Sequence, residues 1–208
     1  MDISMTINAL KRITGLFLIM LLSACATSNK PMQVWKNPTQ DQAVDRVLVI
    51  AAIQRSTQRR VFEDLFIENI SGFDVEATAS YSLATTGISI SRSSIEQAVR
   101  RDRLGGILIL RLMGYDEKEK YQTPDALEHF RNYDSYYEFV LEEAESGAVR
   151  RFRTLMLETS LFDSRSGQLV WSARSELIER SAPRHLIQEQ IAFAIIRMAE
   201  DGVIPLNP

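Results

Sequence analysis

Apolar residues recur along this chain with two different periods, and the change of period from segment to segment predicts an ordered series of elements. Arg46 to Ala52 (RVLVIAA) is a continuous apolar run rich in β-branched residues, as expected of a strand covered on both faces. From Thr57 the spacing becomes helical, with Val61, Phe62, Leu65, Phe66, Asn69 and Ile70 on one side, and Gly72 is expected to close that helix in a left-handed cap. Phe73 to Ala79 reads as a second strand. A second helix is expected behind an S-x-x-E capping box, Ser93 and Glu96, with Ile95, Ala98 and Val99 facing inward. Gly105 and Gly106 end it and lead into a third strand, Ile107 to Met113 (ILILRLM). Strands alternating with helices favour a parallel or mixed sheet with right-handed crossovers.

Beyond Tyr115 the pattern predicts antiparallel hairpins. Tyr136 to Glu145 and Ala148 to Asp163 flank Ser146-Gly147, and a two-residue turn there sets Glu143 opposite Arg150 and Glu142 opposite Arg151. Leu155, Leu157 and Leu161 share one face of a strand, and Leu169, Trp171, Ala173 and Leu177 share one face of the next. Matching those faces requires an odd number of intervening residues, so a bulge is expected at Gly167. A final helix from about Pro183, capped by Ser181, carries the stripe Ile187, Ile191, Ile195 and Met198. The expected fold is α/β, of mixed α+β character, with a mixed sheet of about six strands in a two- or three-layer sandwich, forming one domain over residues 44–208. Between Ala26 and Ala43 the sequence is polar, holds Pro31 and Pro38 and has no period, so residues 25–43 read as a tether in which Trp35 is loosely held.

Composition narrows the class. The chain has 208 residues, 45% hydrophobic and 25% charged, which is ordinary for a globular protein. Removing residues 1–24 takes away Lys11, Arg12 and Asp2 and leaves 22 basic against 26 acidic side chains, a net charge of −4. That mild acidity argues against a nucleic-acid partner, which calls for a basic stripe. The single cysteine, Cys25, lies outside the expected domain, so disulfides, thiolate metal ligands and a thiol nucleophile are not expected there.

The first apolar run is a different kind of segment. Lys11 and Arg12 precede Ile13 to Leu22 (ITGLFLIMLL), followed by Ser23, Ala24 and Cys25. This is a positive region, a short apolar region and small residues at a cut site, and it is about half the ~20 residues needed to cross a bilayer. Residues 1–24 are expected to be a signal peptide. Leu22-Ser23-Ala24-Cys25 resembles the lipobox of bacterial lipoproteins, which implies recognition of Leu22, Ser23 and Ala24 by the lipoprotein signal peptidase and acylation of Cys25. Each buried methylene contributes about 0.8 kcal/mol, so several acyl chains anchor firmly where one does not. Ala26, rather than Asp, after the cysteine implies by the same resemblance the periplasmic face of the outer membrane. An ordinary secretory cut at Ala24-Cys25-Ala26, releasing a soluble protein, is the competing reading.

Four segments, RRVFEDLF (Arg59 to Phe66), FDVEATASYSL (Phe73 to Leu83), GGILILRLMGYDEK (Gly105 to Lys118) and LETSLFDSRSGQLVWSARSE (Leu157 to Glu176), together resemble a large, poorly characterised group of bacterial envelope lipoproteins. The shared motifs are structural, notably the D-x-x-S-G-x-L-V-W hairpin. The group is similar in fold to the amino-terminal domain of the Tol translocation protein, to penicillin-binding-protein activator lipoproteins and to curli secretion lipoproteins. The resemblance implies a module that binds other envelope proteins. It departs from the group between Glu119 and Tyr133, a charged stretch with Pro124 and His129 where a Tyr/Ser/Gly-rich loop is expected.

The turn Ala52 to Thr57 has no glycine, so neither a dinucleotide fingerprint nor a P-loop is present, and Arg55, Arg59 and Arg60 read as a solvated face. His129 and His185 lack metal-site spacing, and no G-x-S-x-G elbow accompanies the serines, so no metal, no cofactor and no catalytic set is expected. Tyrosines concentrate around the third strand's exit: Tyr115, Tyr121, Tyr133, Tyr136 and Tyr137, with Phe130 among them. Tyrosine is enriched where proteins meet partners, so these five form the expected partner-binding edge. The expected function is a non-enzymatic interaction module for another envelope protein. The alternative is a binding module for a small ligand or cell-wall glycan, with the same aromatics as its stacking platform.

Overall fold

The structure, a computed structural model, describes residues 32–53, 55–83, 91–114, 132–146, 155–177 and 184–206. The strands are β1 (Gln33–Lys36), β2 (Arg46–Ala52), β3 (Glu76–Ala79), β4 (Gly106–Gly114), β5 (Leu155–Asp163) and β6 (Leu169–Leu177). The helices are α1 (Ser56–Ile70), α2 (Arg92–Asp102), α3 (Tyr133–Ser146) and α4 (Arg184–Glu200), with a short 3-10 turn at Ser80–Ser82. The six strands form one mixed sheet in the order β1-β6-β5-β4-β2-β3. β2 runs parallel to β3 and β4, whereas β4, β5, β6 and β1 pair antiparallel in turn.

The layering follows from chain order. β3 and β4 lie on opposite sides of β2, so two crossovers of the same hand must place α1 and α2 on opposite faces of the sheet. They do. One core joins Phe62, Leu65 and Phe66 of α1 and Ile191, Ile195 and Met198 of α4 to Val47, Val49, Leu108, Leu161 and Trp171 of the sheet. The other joins Ile95 of α2 and Tyr136, Tyr137 and Val140 of α3 to Leu48, Ile50, Ile107, Ile109 and Phe162. The result is a three-layer α/β/α sandwich.

Two expected elements exchange roles. Tyr136 to Glu145, expected as a hairpin strand, lies within helix α3. Its buried residues Tyr133, Tyr136, Tyr137 and Val140 fall at helical spacing, and the Asn132 side chain accepts from the Asp134 amide at 2.9 Å at the helix start. The expected pairing of Glu142 and Glu143 with Arg151 and Arg150 therefore does not form, since Glu142 and Glu143 are helical, and the two arginines lie outside the described residues. The sixth strand comes instead from the segment expected to be a tether, as β1 adds to the edge of β6 with Trp35 opposite Ser172 and partly buried against the second core.

Several local signals moved by a few residues. The parity mismatch between β5 and β6 is absorbed by a register shift that leaves Val170 as the extra residue, not by a bulge at Gly167. Val170 and Trp171 therefore both enter the first core, while Leu169 turns into the second. Gly167 instead takes a φ of +69° in the β5–β6 turn. That turn is held by Asp163, whose Oδ1 accepts from the amides of Arg165 at 3.1 Å and Ser166 at 2.7 Å. Helix α2 is capped by Ser91, which accepts from the Ser94 amide at 3.1 Å, rather than by Ser93. It ends at Arg103 in the left-handed region (φ 52°), before the glycine pair. α1 ends through Ser71 in a right-handed conformation, so Gly72 is not a left-handed cap. The expected α4 cap, Ser181, and Pro183 lie outside the described residues.

Candidate functional site

A row of charge crosses the sheet beneath α3. Alternation along ILILRLM sends Arg111 to the same face as Ile107 and Ile109, and the strand registers then align Arg111 with Glu158, Glu158 with Arg174 and Arg174 with Gln33. Arg111, Glu158 and Arg174 are buried. Arg111 Nη1 lies 3.2 Å from Glu158 Oε2, and Arg174 Nε lies 3.4 Å from Glu158 Oε1. Helix α3 closes the row from above: Glu143 accepts from Arg111 Nε at 2.6 Å, Phe139 places its ring 4.8 Å from the Arg111 guanidinium, and the Tyr136 hydroxyl donates to Glu158 Oε2. One turn of the ladder away, Ser160 and Ser172 share a hydrogen bond of 2.9 Å.

The electrostatics of the row are self-contained. Burial works against the Arg111 cation, but Glu143, with Tyr136 and Glu158, outweighs it and holds the guanidinium above its ordinary range. Burial, followed by the negative charge of Glu158, pushes the Tyr136 phenol well above its ordinary value, so it remains a proton donor. Charges taken from water are tolerated only when paired and hydrogen-bonded, and this row answers the requirement by turning its groups onto one another. Chemically it fixes α3 to the sheet.

A second buried carboxylate, Glu63 of α1, sits at the carboxyl end of β2. It accepts from the Ala51 amide at 3.0 Å, the Ser80 hydroxyl at 2.5 Å and the Tyr81 amide at 3.1 Å, tying α1 to β2 and to the 3-10 turn that follows β3. Burial raises its pKa, and those three hydrogen bonds and Arg59 only partly oppose it. Arg59 is itself buried, which corrects its assignment to a solvated face, whereas Arg55 and Arg60 are exposed and Arg60 stacks 5.0 Å from the Tyr81 ring. A shallow cleft lies between α2 and α3, lined by Arg92, Ile95, Tyr133, Asp134, Tyr137 and Leu141 among others. Arg92 and Asp134 form an ion pair of 2.6 Å there. Burial and the neighbouring Asp134 push the Tyr133 phenol up to about 12.

The expected partner-binding edge is altered by this geometry. Tyr133, Tyr136 and Tyr137 are buried on the inner side of α3, because the helix turns them onto the sheet where a strand would have alternated them, so they do not form an open aromatic platform. Tyr115 and Tyr121 lie outside the described residues, as do Leu22, Ser23, Ala24, Cys25 and His129. His185 is exposed in the first turn of α4. Among the described residues no cluster of His, Cys, Asp or Glu is arranged to hold a metal ion, and no helix is long and apolar enough to cross a membrane. Sequence reasoning missed Arg111, Glu158, Arg174 and Glu63. The available signal was a charged residue inside each of three strongly apolar strands, at positions that the registers bring into one line.

No family model matches the chain, and no curated protein matches it. Solved structures do. Two crystal forms of the PelC dodecamer from Paraburkholderia phytofirmans are similar at 12% identity, over 79% of this chain and 95% and 96% of theirs, with TM-scores of 0.46 and 0.44. A PDZ domain protein from Parabacteroides distasonis ATCC 8503 is similar at 10% identity, over 86% of this chain and 36% of that one, with a TM-score of 0.37.

Proposed function

We infer that this chain is a non-enzymatic interaction module of the bacterial cell envelope, held at the periplasmic face of the outer membrane by acyl chains on Cys25 and serving another envelope protein. The observation that carries the reading is the inward turn of the ionisable groups. Glu158, Arg111, Tyr136 and Glu63 lie around the carboxyl ends of the parallel strands, where α/β proteins commonly place ligands, yet their hydrogen bonds go to the scaffold. A group locked in this way is not poised to exchange a proton with a substrate. The lipobox supplies the anchor in this reading, and recognition falls to the outer surfaces of the domain. The test is crosslinking in cells of the native protein and of Cys25→Ala. The native protein is expected to fractionate with outer membrane and to give a defined crosslinked partner, and Cys25→Ala to lose the membrane fraction. Recovery of nothing but bulk outer-membrane proteins would overturn the module. Membrane retention of Cys25→Ala would overturn the anchor.

The cleft between α2 and α3 favours a second reading, binding of a small ligand or cell-wall glycan, since it sets the aromatic edges of Tyr133 and Tyr137 beside the Arg92–Asp134 pair. Thermal stabilisation by muropeptides, lost in Tyr137→Ala, is the expected result of that reading, and a flat response across muropeptides and common metabolites sinks it.

A further inference from the structure

The cleft between α2 and α3 has apolar walls from Ile95, Tyr133, Tyr137 and Leu141 and charged ones from Arg92, Asp134 and Glu138. It holds about 150 Å³. Pockets that enclose a drug-sized ligand run to roughly 300–1,000 Å³, so this one is too small for a muropeptide and suits a single side chain.

Asp134 selects the kind of side chain. Its Oδ2 lies 2.6 Å from Arg92 Nη2, but its Oδ1 is shut off from water and accepts no hydrogen bond. The Tyr133 phenol, raised to about 12 beside this carboxylate, closes no hydrogen bond on that oxygen either. A buried carboxylate oxygen without a donor is costly, and an incoming N–H group recovers the loss. Glu138, one turn further along α3, is exposed and makes no ion pair among the described residues. Helix α3 as a whole carries five acidic residues and no basic one. On α2, Arg100 and Arg101 already lie beside Glu96 and Asp102. Arg92 is the cation of the cleft, and it is loosely held. Its side chain is 62% exposed, and its Nε has a second acid on its own helix, Glu96 at 3.0 Å, so it can yield Asp134 and keep a partner.

We propose that this cleft is the recognition pocket of the module and takes one basic side chain, lysine or arginine, from the envelope protein that it binds. The aliphatic stem lies along Tyr133, Tyr137, Ile95 and Leu141, and the cationic head goes to Asp134 and Glu138 in place of Arg92. The assignment rests on the interaction-module reading above and names the chemistry of its partner.

The experiment uses the full chain, processed in cells and held in a non-ionic detergent, with saturation-transfer NMR to short acetylated peptides of alanine and serine. The peptides differ in one central residue: lysine, norleucine, glutamine or glutamate. The lysine peptide is expected to give a side-chain signal several-fold above the other three. Asp134→Asn should abolish it, and so should Glu138→Lys, an exposed position where the melting temperature should hold. Glu68→Lys makes the same charge change at an exposed position of α1, across the sheet, and should leave the signal intact. Arg92→Ala should keep or strengthen it, because the incoming ammonium no longer competes with a resident guanidinium. A signal that favours glutamate and vanishes in Arg92→Ala overturns the proposal, since the cleft would then be an anion site. Equal signals from all four peptides overturn it, as does equal loss in Glu68→Lys and Glu138→Lys. Displacement of the lysine peptide by an amine-acetylated muropeptide overturns it in favour of a small ligand. Crosslinking in cells separates the pocket from the module: a partner captured equally by the native chain and Glu138→Lys overturns the pocket alone, and no partner at all overturns both.

Discussion

Glu158→Gln keeps the size of a side chain that lies between two buried arginines and removes its charge. Glu158 is fully buried, and its oxygens lie 3.2 Å from Arg111 and 3.4 Å from Arg174. Arg111 retains Glu143 at 2.6 Å, but Arg174 loses its ion pair with Glu158. Breaking a buried ion pair by removing one partner costs about 3–5 kcal/mol, because the remaining charge is left in a medium that solvates it poorly. A domain of this size loses roughly 2–4 °C of Tm per kcal/mol, so the melting midpoint should fall by about 6–20 °C. Urea unfolding should give the same loss with an unchanged slope. The companion variant replaces the row together: Arg111→Met, Glu158→Leu, Arg174→Met and Tyr136→Phe. With the buried charges gone and only the partly exposed Glu143 left without its arginine, it should recover most of the loss, since apolar replacement of a buried triad is neutral or stabilising by about 1–4 kcal/mol in comparable cases. The reasoning is refuted if Glu158→Gln alone costs less than about 1 kcal/mol, which would mean that the row reaches water and that α3 is not sealed over it.

Three further outcomes are expected. Ser91→Ala should destabilise by about 1 kcal/mol through loss of the α2 cap, while Ser93→Ala should cost less than about 0.5 kcal/mol, with paired thermal melts as the check. Gly167→Ala should cost roughly 1–2 kcal/mol in urea unfolding, because φ is +69° and an added Cβ would meet the Asn132 amide nitrogen at 2.8 Å. The Glu63 carboxyl, raised by burial, is protonated over a wider pH range in the folded chain than in the unfolded one. Its contribution to stability is therefore fully present below the ordinary carboxylate pKa of about 4.5 and is lost as pH rises through the raised value. Native stability relative to Glu63→Gln should accordingly decline from mildly acidic toward neutral pH, and a difference that grows with pH would refute the shift.

Much of the fold was legible because burial on both sides leaves a local trace. β2 and β4 are apolar at nearly every position, and the α1 and α4 stripes repeat at the helical period, so their places in the order did not depend on knowing their neighbours. Caps and the bulge were legible in kind but displaced by a few residues. Ser91 and Ser93 are equally good caps in sequence, and only the packing of Ile95 and Ala98 selects where the first turn begins. Likewise the parity of the leucines on β5 and β6 demanded an extra residue, and Val170 rather than Gly167 became that residue because both Val170 and Trp171 find room in the first core.

The sequence by itself determined the alternation of strands and helices from β2 to β4, the two apolar faces of the sheet and the uniqueness of Cys25. Tertiary structure alone decided three things. α3 is a helix despite its aromatic residues, because Tyr133, Tyr136, Tyr137 and Val140 find a second core to enter only at helical spacing. Gln33–Lys36 is a strand because the open edge of β6 offers backbone partners that no local signal reveals. Arg111, Glu158 and Arg174 form one row because register sets which residues of distant strands face each other, and a one-residue slip would have sent each of these charges to the other face.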